Sequence, residues 1–246
     1  MNGTDGWSAI AGEWARLWGG FADPARQAVI TACGIGPGTR VLDIGCGSGE
    51  FLAQARAAGA TAAGVDPAPG MIALAGGDVR LGSFDLLPWP DGSFDVVTAF
   101  NSLHFTADPV EALREAVRVA VPGGLVAVSN WAEGHHNDLN VIEVAVARAD
   151  GEEPHPDEDL RREAGLTDVL ERSGLEPVTA GLVETPWVVP DDDALVRGIL
   201  LGADDAVITE TADTVITAAR PFRCSDGGYR LSNKFRYAVG RVGNRS

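Results

Sequence analysis

The sequence predicts an α/β fold with a doubly wound, seven-stranded, mostly parallel sheet whose last strand is antiparallel. Two patterns lead to this prediction. From residue 40 onward, short apolar runs alternate with helical stretches that are long enough to form parallel crossovers. Near the C terminus, residues 229–239 alternate apolar and polar side chains, which is typical of a strand with two unlike faces.

The first part of the chain supplies helices and five strands. Trp and Phe side chains that fall mostly on one face predict a helix over residues 7–33. The strands follow at residues 41–44, 62–65, 79–81, 94–100 and 125–129, with helices at 49–58, 67–75 and 108–121. The last of these helices begins with an Asp cap at Asp108 and Pro109, and Pro122 with two glycines stops it.

The C-terminal part of the chain has a different pattern. An acidic loop at residues 150–159 precedes a short helix at 168–173, and residues 176–189 are predicted to be extended. Residues 191–220 carry helical signals and no strand signal. We therefore expect two late strands that pair antiparallel, with a helical insertion hanging over one end of the sheet.

The composition limits the partners. The 246 residues include 19 Lys and Arg against 35 Asp and Glu, a net charge of −16. Such a surface repels nucleic-acid phosphates and anionic lipids, so we expect no nucleic acid and no membrane partner. No apolar stretch reaches the roughly 18 residues that a membrane span needs. Three widely spaced cysteines without nearby histidines predict no metal site and a reduced, cytoplasmic protein.

The strongest chemical signal is segment 41–49, a strand that ends in a G-x-G-x-G turn and opens a helix. Gly45, Gly47 and Gly49 let the backbone turn tightly and approach a ligand closely. A dinucleotide is the alternative to weigh, because dinucleotides bind at this place in doubly wound folds. It is disfavoured, since Glu50 stands where the third fingerprint glycine belongs and would repel a pyrophosphate.

Two carboxylates describe the ligand further. Asp43, at the end of the first strand, suits a cationic amino group rather than a phosphate. Asp66 ends the second strand 23 residues later, the spacing at which an acid reaches the two hydroxyls of a ribose. The sequence therefore predicts a ligand with a ribose and an ammonium group, and S-adenosylmethionine meets both conditions.

At this point the chain resembles the class I S-adenosylmethionine-dependent methyltransferases, whose sheet is Rossmann-like. Residues 41–49 are similar to their first motif and residues 64–67 to their second, and the likeness continues through 87–97 and 118–124. It covers residues 14–131 well. The C-terminal third looks more loosely like small-molecule members that have a helical lid.

The resemblance implies one methyltransferase domain over residues 1–246. Its parts are an N-terminal helical cap (1–38), a cofactor-binding core (39–189), a helical lid insertion (190–222) and the last strand (223–246).

The resemblance also implies which residues hold the cofactor, which leaves as S-adenosylhomocysteine. They are Asp43, Gly45, Cys46, Gly47, Gly49, Asp66, Pro67, Met71, Ser83, Phe84, Asp85, Phe100 and Asn101. Trp14 and Trp18 either close over its methionine part or belong to the core. Family members usually place an acid where Ser83 stands, so we expect Phe84 stacking and Asp85 to share the work of holding the adenine.

Methyl transfer depends largely on holding the acceptor in line with the methyl carbon, so a general base is modest or absent. His104, after the fourth strand, is the first candidate for a base, although it could only shape the pocket. His135 and His136 are further candidates in a polar loop that solvated surface also explains. We expect Trp131 to line the acceptor pocket. Arg223 and Tyr229 could reach the acceptor from the lid side, although a plain strand surface explains them equally well.

Three functions stay open at this point. The leading one is methylation of an O, N or C atom of a small-molecule acceptor, as in natural-product tailoring, by a monomer or homodimer. In the second, the cationic sulfonium assists a cyclisation or rearrangement without methyl transfer. The third is a degenerate, non-catalytic binding protein, which Ser83 slightly supports.

Overall fold

A seven-stranded sheet forms the centre of the computed structural model, which describes residues 4–153 and 156–244. Its strand order is β3-β2-β1-β4-β5-β9-β6. These strands are β1 (Arg40–Ile44), β2 (Thr61–Asp66), β3 (Asp78–Leu81), β4 (Phe94–Phe100), β5 (Ala120–Trp131), β6 (Leu175–Glu184) and β9 (Lys234–Val242). A separate pair joins β7 (Trp187–Val189) and β8 (Tyr229–Leu231). The chain ends of the predicted domain and two residues of the predicted 150–159 loop lie outside the described residues.

The strand directions confirm the predicted fold class. Strands β1 to β5 pair in parallel, and β9 runs antiparallel to both of its neighbours, β5 and β6. Because each parallel pair needs a crossover, helices lie between the strands and cover both faces of the sheet.

Nine α-helices lie in the described part of the chain. They are α1 (Thr4–Leu17), α2 (Asp23–Cys33), α3 (Glu50–Ala57), α4 (Pro69–Ala75), α5 (Pro109–Val119), α6 (Leu139–Ala149), α7 (Gly165–Arg172), α8 (Asp192–Ile199) and α9 (Asp205–Ala219). Four short 3₁₀ turns follow or precede them at Leu103–Phe105, Gly134–His136, Asp159–Arg161 and Arg220–Phe222.

The two faces of the sheet are covered by different helices. Buried side chains of α2 and α3 pack on one face, and those of α5 and α7 pack on the other. Examples are Phe51 of α3 on the first face and Leu113 of α5 on the second, exposed by 2% and 0%. Helix α2 therefore covers the sheet. Of the two helices described within the predicted 1–38 cap, α1 is the one that lies away from the sheet face.

Three local predictions are wrong. The helix expected over residues 7–33 is broken between α1 and α2, at the pair Gly19–Gly20, because glycine disfavours a continuous helix. The extended segment 176–189 and the alternating segment 229–239 are each divided between the central sheet and the β7–β8 pair. The sequence patterns described above predict no helix at the position of α6.

The helical segment predicted at 191–220 is present as α8 and α9. It packs with α6 and the β7–β8 pair around one buried cluster. At the centre of this cluster the Trp18 and Trp187 rings stack with their centroids 4.2 Å apart, and the Trp18 Nε1–H donates to the carbonyl of Gly198 at 3.1 Å. The residue that follows α1 is thereby tied to α8.

Helix α1 lies against α4 at very short range. The Gly70 N–H donates to the Ser8 hydroxyl at 3.1 Å, and a Cβ added at Gly70 would come within 2.3 Å of the Ser8 carbonyl oxygen. Ala11, Ala68 and Met71 form the buried contact beside it. Only a glycine fits at position 70 without moving α1.

A pair of glycine substitutions tests this packing. We expect Gly70→Ala to lower the free energy of unfolding by about 1–3 kcal/mol, because the added methyl overpacks the α1–α4 contact. Gly12→Ala is the control, since a Cβ there meets nothing within 4 Å and Ala favours the helix by about 0.5–1 kcal/mol. Urea unfolding followed by circular dichroism measures both. Equal stability of the Gly70 variant and the parent would contradict this contact.

Candidate active site

The predicted site residues gather at the carboxyl ends of β1, β2 and β4. Strand β1 is flanked by β2 on one side and β4 on the other. The chain therefore adds strands on one side of β1 first and then on its other side. Ligands of doubly wound folds bind in the crevice that this reversal opens. The turn after β1 lies at its centre.

Each glycine of this turn has a positive φ, of 73° at Gly45, 53° at Gly47 and 92° at Gly49. A Cβ at Gly45 would come within 2.3 Å of Ser102 Cβ, and one at Gly49 would come within 2.7 Å of Ala75 Cα. A Cβ at Gly47 would meet nothing within 4 Å. Gly45 and Gly49 therefore serve packing, and Gly47 faces open space of the kind that a ligand fills.

Asp66 fastens this turn to the end of β2. Its Oδ2 accepts the Gly47 N–H and its Oδ1 accepts the Ala68 N–H, both at 2.9 Å. Burial raises the pKa of the Asp66 carboxyl, and these two N–H groups oppose that rise. Each oxygen keeps a lone pair for a hydroxyl of a ligand. Pro67 in the same turn is exposed.

Asp43 lies beneath the turn with 2% of its surface exposed. Its Oδ1 accepts the Thr98 hydroxyl at 2.7 Å, because β1 and β4 pair in the register that places Thr98 opposite Asp43. Burial raises the pKa of Asp43 to about 7, although the Thr98 hydrogen bond and the charge of Arg26 oppose this shift. A buried acid with one hydrogen bond is stabilised as the anion when a cation binds.

Arg26 is a buried cation that the sequence analysis missed. Its side chain is 10% exposed, its Nη1 donates to the Gly19 carbonyl at 2.6 Å, and its Nη2 lies 4.0 Å from Glu50 Oε2. Its buried Nε has no hydrogen-bond partner in the described part of the chain. Arg26 thus supplies positive charge on the side of the turn where Asp43 and Glu50 supply negative charge.

The end of β4 has an unusual backbone. Asn101 is the one described residue other than glycine with a positive φ, of 50°, and its N–H donates to the Ser129 carbonyl at 2.9 Å. Its side-chain Oδ1 and the Ser129 hydroxyl are buried without hydrogen-bond partners among the described residues. Strain and unpaired polar atoms at one place are typical of ligand sites. The neighbouring Phe100 ring packs on Phe51 at 4.6 Å between centroids.

The region expected to hold the adenine differs in part from the prediction. The Ser83 hydroxyl donates to Asp85 Oδ2 at 3.0 Å, so these two side chains do form one polar group at the surface. The Phe84 ring is 6% exposed and packs in the main core with Leu87 and Trp89. The structure therefore places the Phe84 ring in the core, where little of its surface is left for the expected stacking on the ligand.

Two further cofactor candidates are packing residues in this structure. Cys46 is 5% exposed, and burial raises the pKa of its thiol, which keeps it protonated. Gly64 in β2 leaves the room that its sulfur occupies. Met71 is 3% exposed and lies under α1 beside Trp7 and Trp14.

Tryptophans connect the site to the helical segment. Trp14 is half-buried and stacks near Trp18, with the centroids 6.1 Å apart. Trp18 is 9% exposed, so it belongs to the core, whereas Trp14 keeps surface for a ligand. Trp131, half-buried at the end of β5, contacts Phe21 at 5.0 Å between centroids.

The three histidine candidates do not form one group. His104 is half-buried beside Phe105, burial lowers its pKa, and its buried Nδ1 has no partner among the described residues. His135 is exposed and stacks on His136 in the turn after β5. His136 faces the charges of Glu133, Lys234 and Arg236 near β9.

Arg223 and Tyr229, which were predicted to reach the acceptor, both contact Asp192 in this structure. Tyr229 is 1% exposed, and its hydroxyl donates to Asp192 Oδ1 at 2.7 Å. Arg223 Nη2 lies 3.2 Å from the same oxygen. The Tyr229 ring fills the core beneath α8, because alternate residues of β8 point into that cluster.

Residues 4–153 and 156–244 contain no group of three His, Cys, Asp or Glu side chains that could hold a metal ion. In the same residues, every helix is too short or too polar to cross a membrane.

Comparison with known proteins agrees with this geometry. A family model described as a methyltransferase domain matches residues 42–128. Malonyl-acyl-carrier-protein O-methyltransferase of Serratia marcescens is 31% identical over 149 residues, which is 56% of this chain and 58% of that protein. Demethylmenaquinone methyltransferase of Mycolicibacterium paratuberculosis is 37% identical over 110 residues, 43% of this chain and 47% of that protein. The chain spans about half the length of the curated relatives it matches.

Solved structures share the fold over most of the chain. An S-adenosylmethionine-dependent methyltransferase of Thermotoga maritima has a TM-score of 0.58 at 19% identity and covers 96% of this chain and 98% of its own. A cyclase has a TM-score of 0.60 at 19% identity, covering 91% of this chain and 82% of its own. Residues 42–128 thus match a methyltransferase domain, and the sheet that contains them has the fold of solved methyltransferase structures.

Proposed function

We propose that the protein transfers a methyl group from S-adenosylmethionine to an O, N or C atom of a small molecule. The observation that carries this proposal is the turn after β1, where the open space at Gly47 lies next to Asp66. When bound, S-adenosylmethionine supplies an electrophilic methyl group on a sulfonium. The question for this chain is how its residues hold that cofactor and the acceptor.

The residues at the turn fit such a cofactor. Asp66 would accept hydrogen bonds from the ribose hydroxyls through the lone pairs that the Gly47 and Ala68 N–H groups leave free. Asp43 would stabilise the ammonium group from below the turn. Gly47 would let the backbone lie close to the ligand, and Gly45 and Gly49 would allow the packing that holds the turn in place. Ser83 and Asp85 would hydrogen-bond the adenine edge, without stacking by Phe84.

The acceptor side needs position more than acid–base chemistry, since displacement at a methyl carbon depends on alignment. Asn101 has a buried Oδ1 without a hydrogen-bond partner among the described residues at the end of β4, and Trp14 is only half-buried, so we propose both as residues that position the acceptor. The low pKa of His104 keeps the imidazole neutral near pH 7, so it can accept a proton from an acceptor hydroxyl or amine. We propose the segment α8–α9 as a lid over this side.

Two observations support a small acceptor. The malonyl-acyl-carrier-protein and demethylmenaquinone enzymes act on non-polynucleotide acceptors by their names. The net charge of −16 also disfavours nucleic acid. Natural-product tailoring, a cytoplasmic location and a monomeric or homodimeric state remain part of the proposal.

The second candidate is cofactor-assisted cyclisation without methyl transfer, because a cyclase has the same fold. The two functions share the cofactor site and differ in the product, since only methyl transfer releases S-adenosylhomocysteine. A degenerate, non-catalytic site is a third reading that predicts no cofactor binding.

Calorimetric titration with S-adenosylmethionine and S-adenosylhomocysteine tests the cofactor site, with NAD as the control ligand. We expect saturable binding of the first two and none of NAD, because Glu50 and Asp43 disfavour a pyrophosphate. Binding of NAD alone, or of none of the three, would overturn the proposal.

Asp66→Ala should weaken S-adenosylhomocysteine binding by about 1–3 kcal/mol, because it removes an acceptor for the ribose and releases the Gly47 N–H. Asp78→Ala is the matched control. That residue begins the edge strand β3, level with Ala63 of β2, and makes only an exposed ion pair with Arg80, at 3.5 Å. Calorimetry measures both variants, and equal affinities would refute the ribose assignment.

The affinity for S-adenosylhomocysteine should rise as the pH increases from about 5 to 7 and then level off. Free Asp43 keeps its proton up to about pH 7, and an ammonium group stabilises the anion, so binding releases a proton below that pH. Calorimetry in two buffers of different ionisation enthalpy counts the protons. Asp43→Asn should bind more weakly and remove this pH dependence; an unchanged slope in that variant would assign the proton elsewhere.

A further inference from the structure

A second group of polar side chains, His104 and Arg161, lies beyond the end of β5. The turns Leu103–Phe105 and Asp159–Arg161 both pack against this strand, which brings His104 and Arg161 to the same edge of the sheet. Neither His104 nor Arg161 belongs to the cofactor residues described above. Arg161 was missed by the sequence analysis because no motif contains it.

Arg161 is held at one end and free at the other. Its Nε donates to the Ala132 carbonyl at 3.0 Å and lies 3.4 Å from Asp157 Oδ1. Its Nη1 and Nη2 make no hydrogen bond to any residue in 4–153 or 156–244, although only 23% of the side chain is exposed. The free edge of the guanidinium is therefore positioned and largely covered.

Four titratable groups lie near Arg161: Asp157, which pairs with its Nε, and His104, Glu158 and Glu143. His104 and Glu158 interact electrostatically with each other, and His104 also feels the charge of Arg161. Glu143, on α6, keeps solvent access, yet burial by the surrounding protein raises its pKa and Arg161 opposes that rise. Glu143 forms no hydrogen bond and no ion pair within 4 Å to a described residue.

We infer that Arg161 binds a carboxylate of the acceptor, at the edge of the site that His104 and Glu143 border. The inference rests on the proposed function and names its substrate class: a small molecule with an acidic oxygen. A guanidinium edge with two free N–H donors matches a carboxylate in shape and charge. In a protein of net charge −16, a positioned cation whose two Nη groups make no hydrogen bond to a described residue attracts an anion.

The exposed Phe105 ring suggests the probe. It is 62% exposed, contacts the His104 ring at 4.1 Å between centroids, and offers an apolar surface beside the cation. Benzoate places a carboxylate on an aromatic ring, and benzamide has the same shape without the charge. Each probe is titrated into protein saturated with S-adenosylhomocysteine. The difference between the two affinities then measures the effect of the negative charge, because the probes have the same shape.

The variants separate Arg161 from its neighbours. Arg161→Gln should weaken benzoate binding about tenfold or more, because a charge-assisted pair is lost. Arg162→Gln is the matched control, since Arg162 is 64% exposed and paired with Asp159 at 3.0 Å. Glu143→Gln should strengthen benzoate binding, because it removes a negative charge that interacts with Arg161. A merely structural role of Arg161 would not produce opposite effects at positions 161 and 143.

We expect benzoate to bind at least about tenfold more tightly than benzamide in the parent protein. Equal affinities for the two probes, no benzoate binding, or equal effects of the Arg161 and Arg162 variants would overturn the inference. Binding of S-adenosylhomocysteine is measured first in every variant. If it is retained while benzoate fails, only the acceptor inference fails; if the parent does not bind it, the proposed function fails as well.

Discussion

The structure of the site depends on the attachment of the turn after β1 to the end of β2. One carboxylate, that of Asp66, accepts N–H groups from both turns at 2.9 Å, so the two loops form one rigid unit. On the other side, the Ser102 hydroxyl donates to the Ile44 carbonyl at 2.7 Å and packs where Gly45 has no side chain. The backbone around Gly47 is thus fixed before a ligand arrives, which lowers the entropy that binding must overcome.

Aromatic packing connects this rigid unit to the parts that cover it. Trp7 contacts Trp14 at 5.4 Å between centroids, Trp14 lies near Trp18, and Trp18 stacks on Trp187 of β7. The Trp187 Nε1–H donates back to the Leu17 carbonyl at 3.0 Å, at the end of α1. Helix α1 and the α8–α9 segment therefore share one buried cluster, so a movement of either that opens the site has to break contacts with the other.

The sequence allowed prediction of what is local. The turn at 45–49 and the acids at strand ends follow from motifs within a few residues, and the structure brings them together. The features that could not be predicted from the sequence depend on contacts between residues that are far apart in the chain. Thr98 meets Asp43 through strand register, and Arg26 reaches the turn through α2. The corner between β8 and β9 could not be predicted, because the apolar–polar alternation continues through it. Asn233 lies at this corner, and its side-chain oxygen accepts the Leu139 N–H of α6 at 3.2 Å.

Electrostatics explains why this crevice favours a cationic ligand over a dinucleotide. Asp43, Asp66 and Glu50 lie together where little water screens them, and burial is the main reason that the pKa values of both aspartates rise. Arg26 offsets part of this charge, but its Nη1 is already bound to Gly19 and Asp23. A pyrophosphate would add negative charge to a region that already disfavours it, whereas an ammonium group lets Asp43 ionise without leaving a buried charge unpaired.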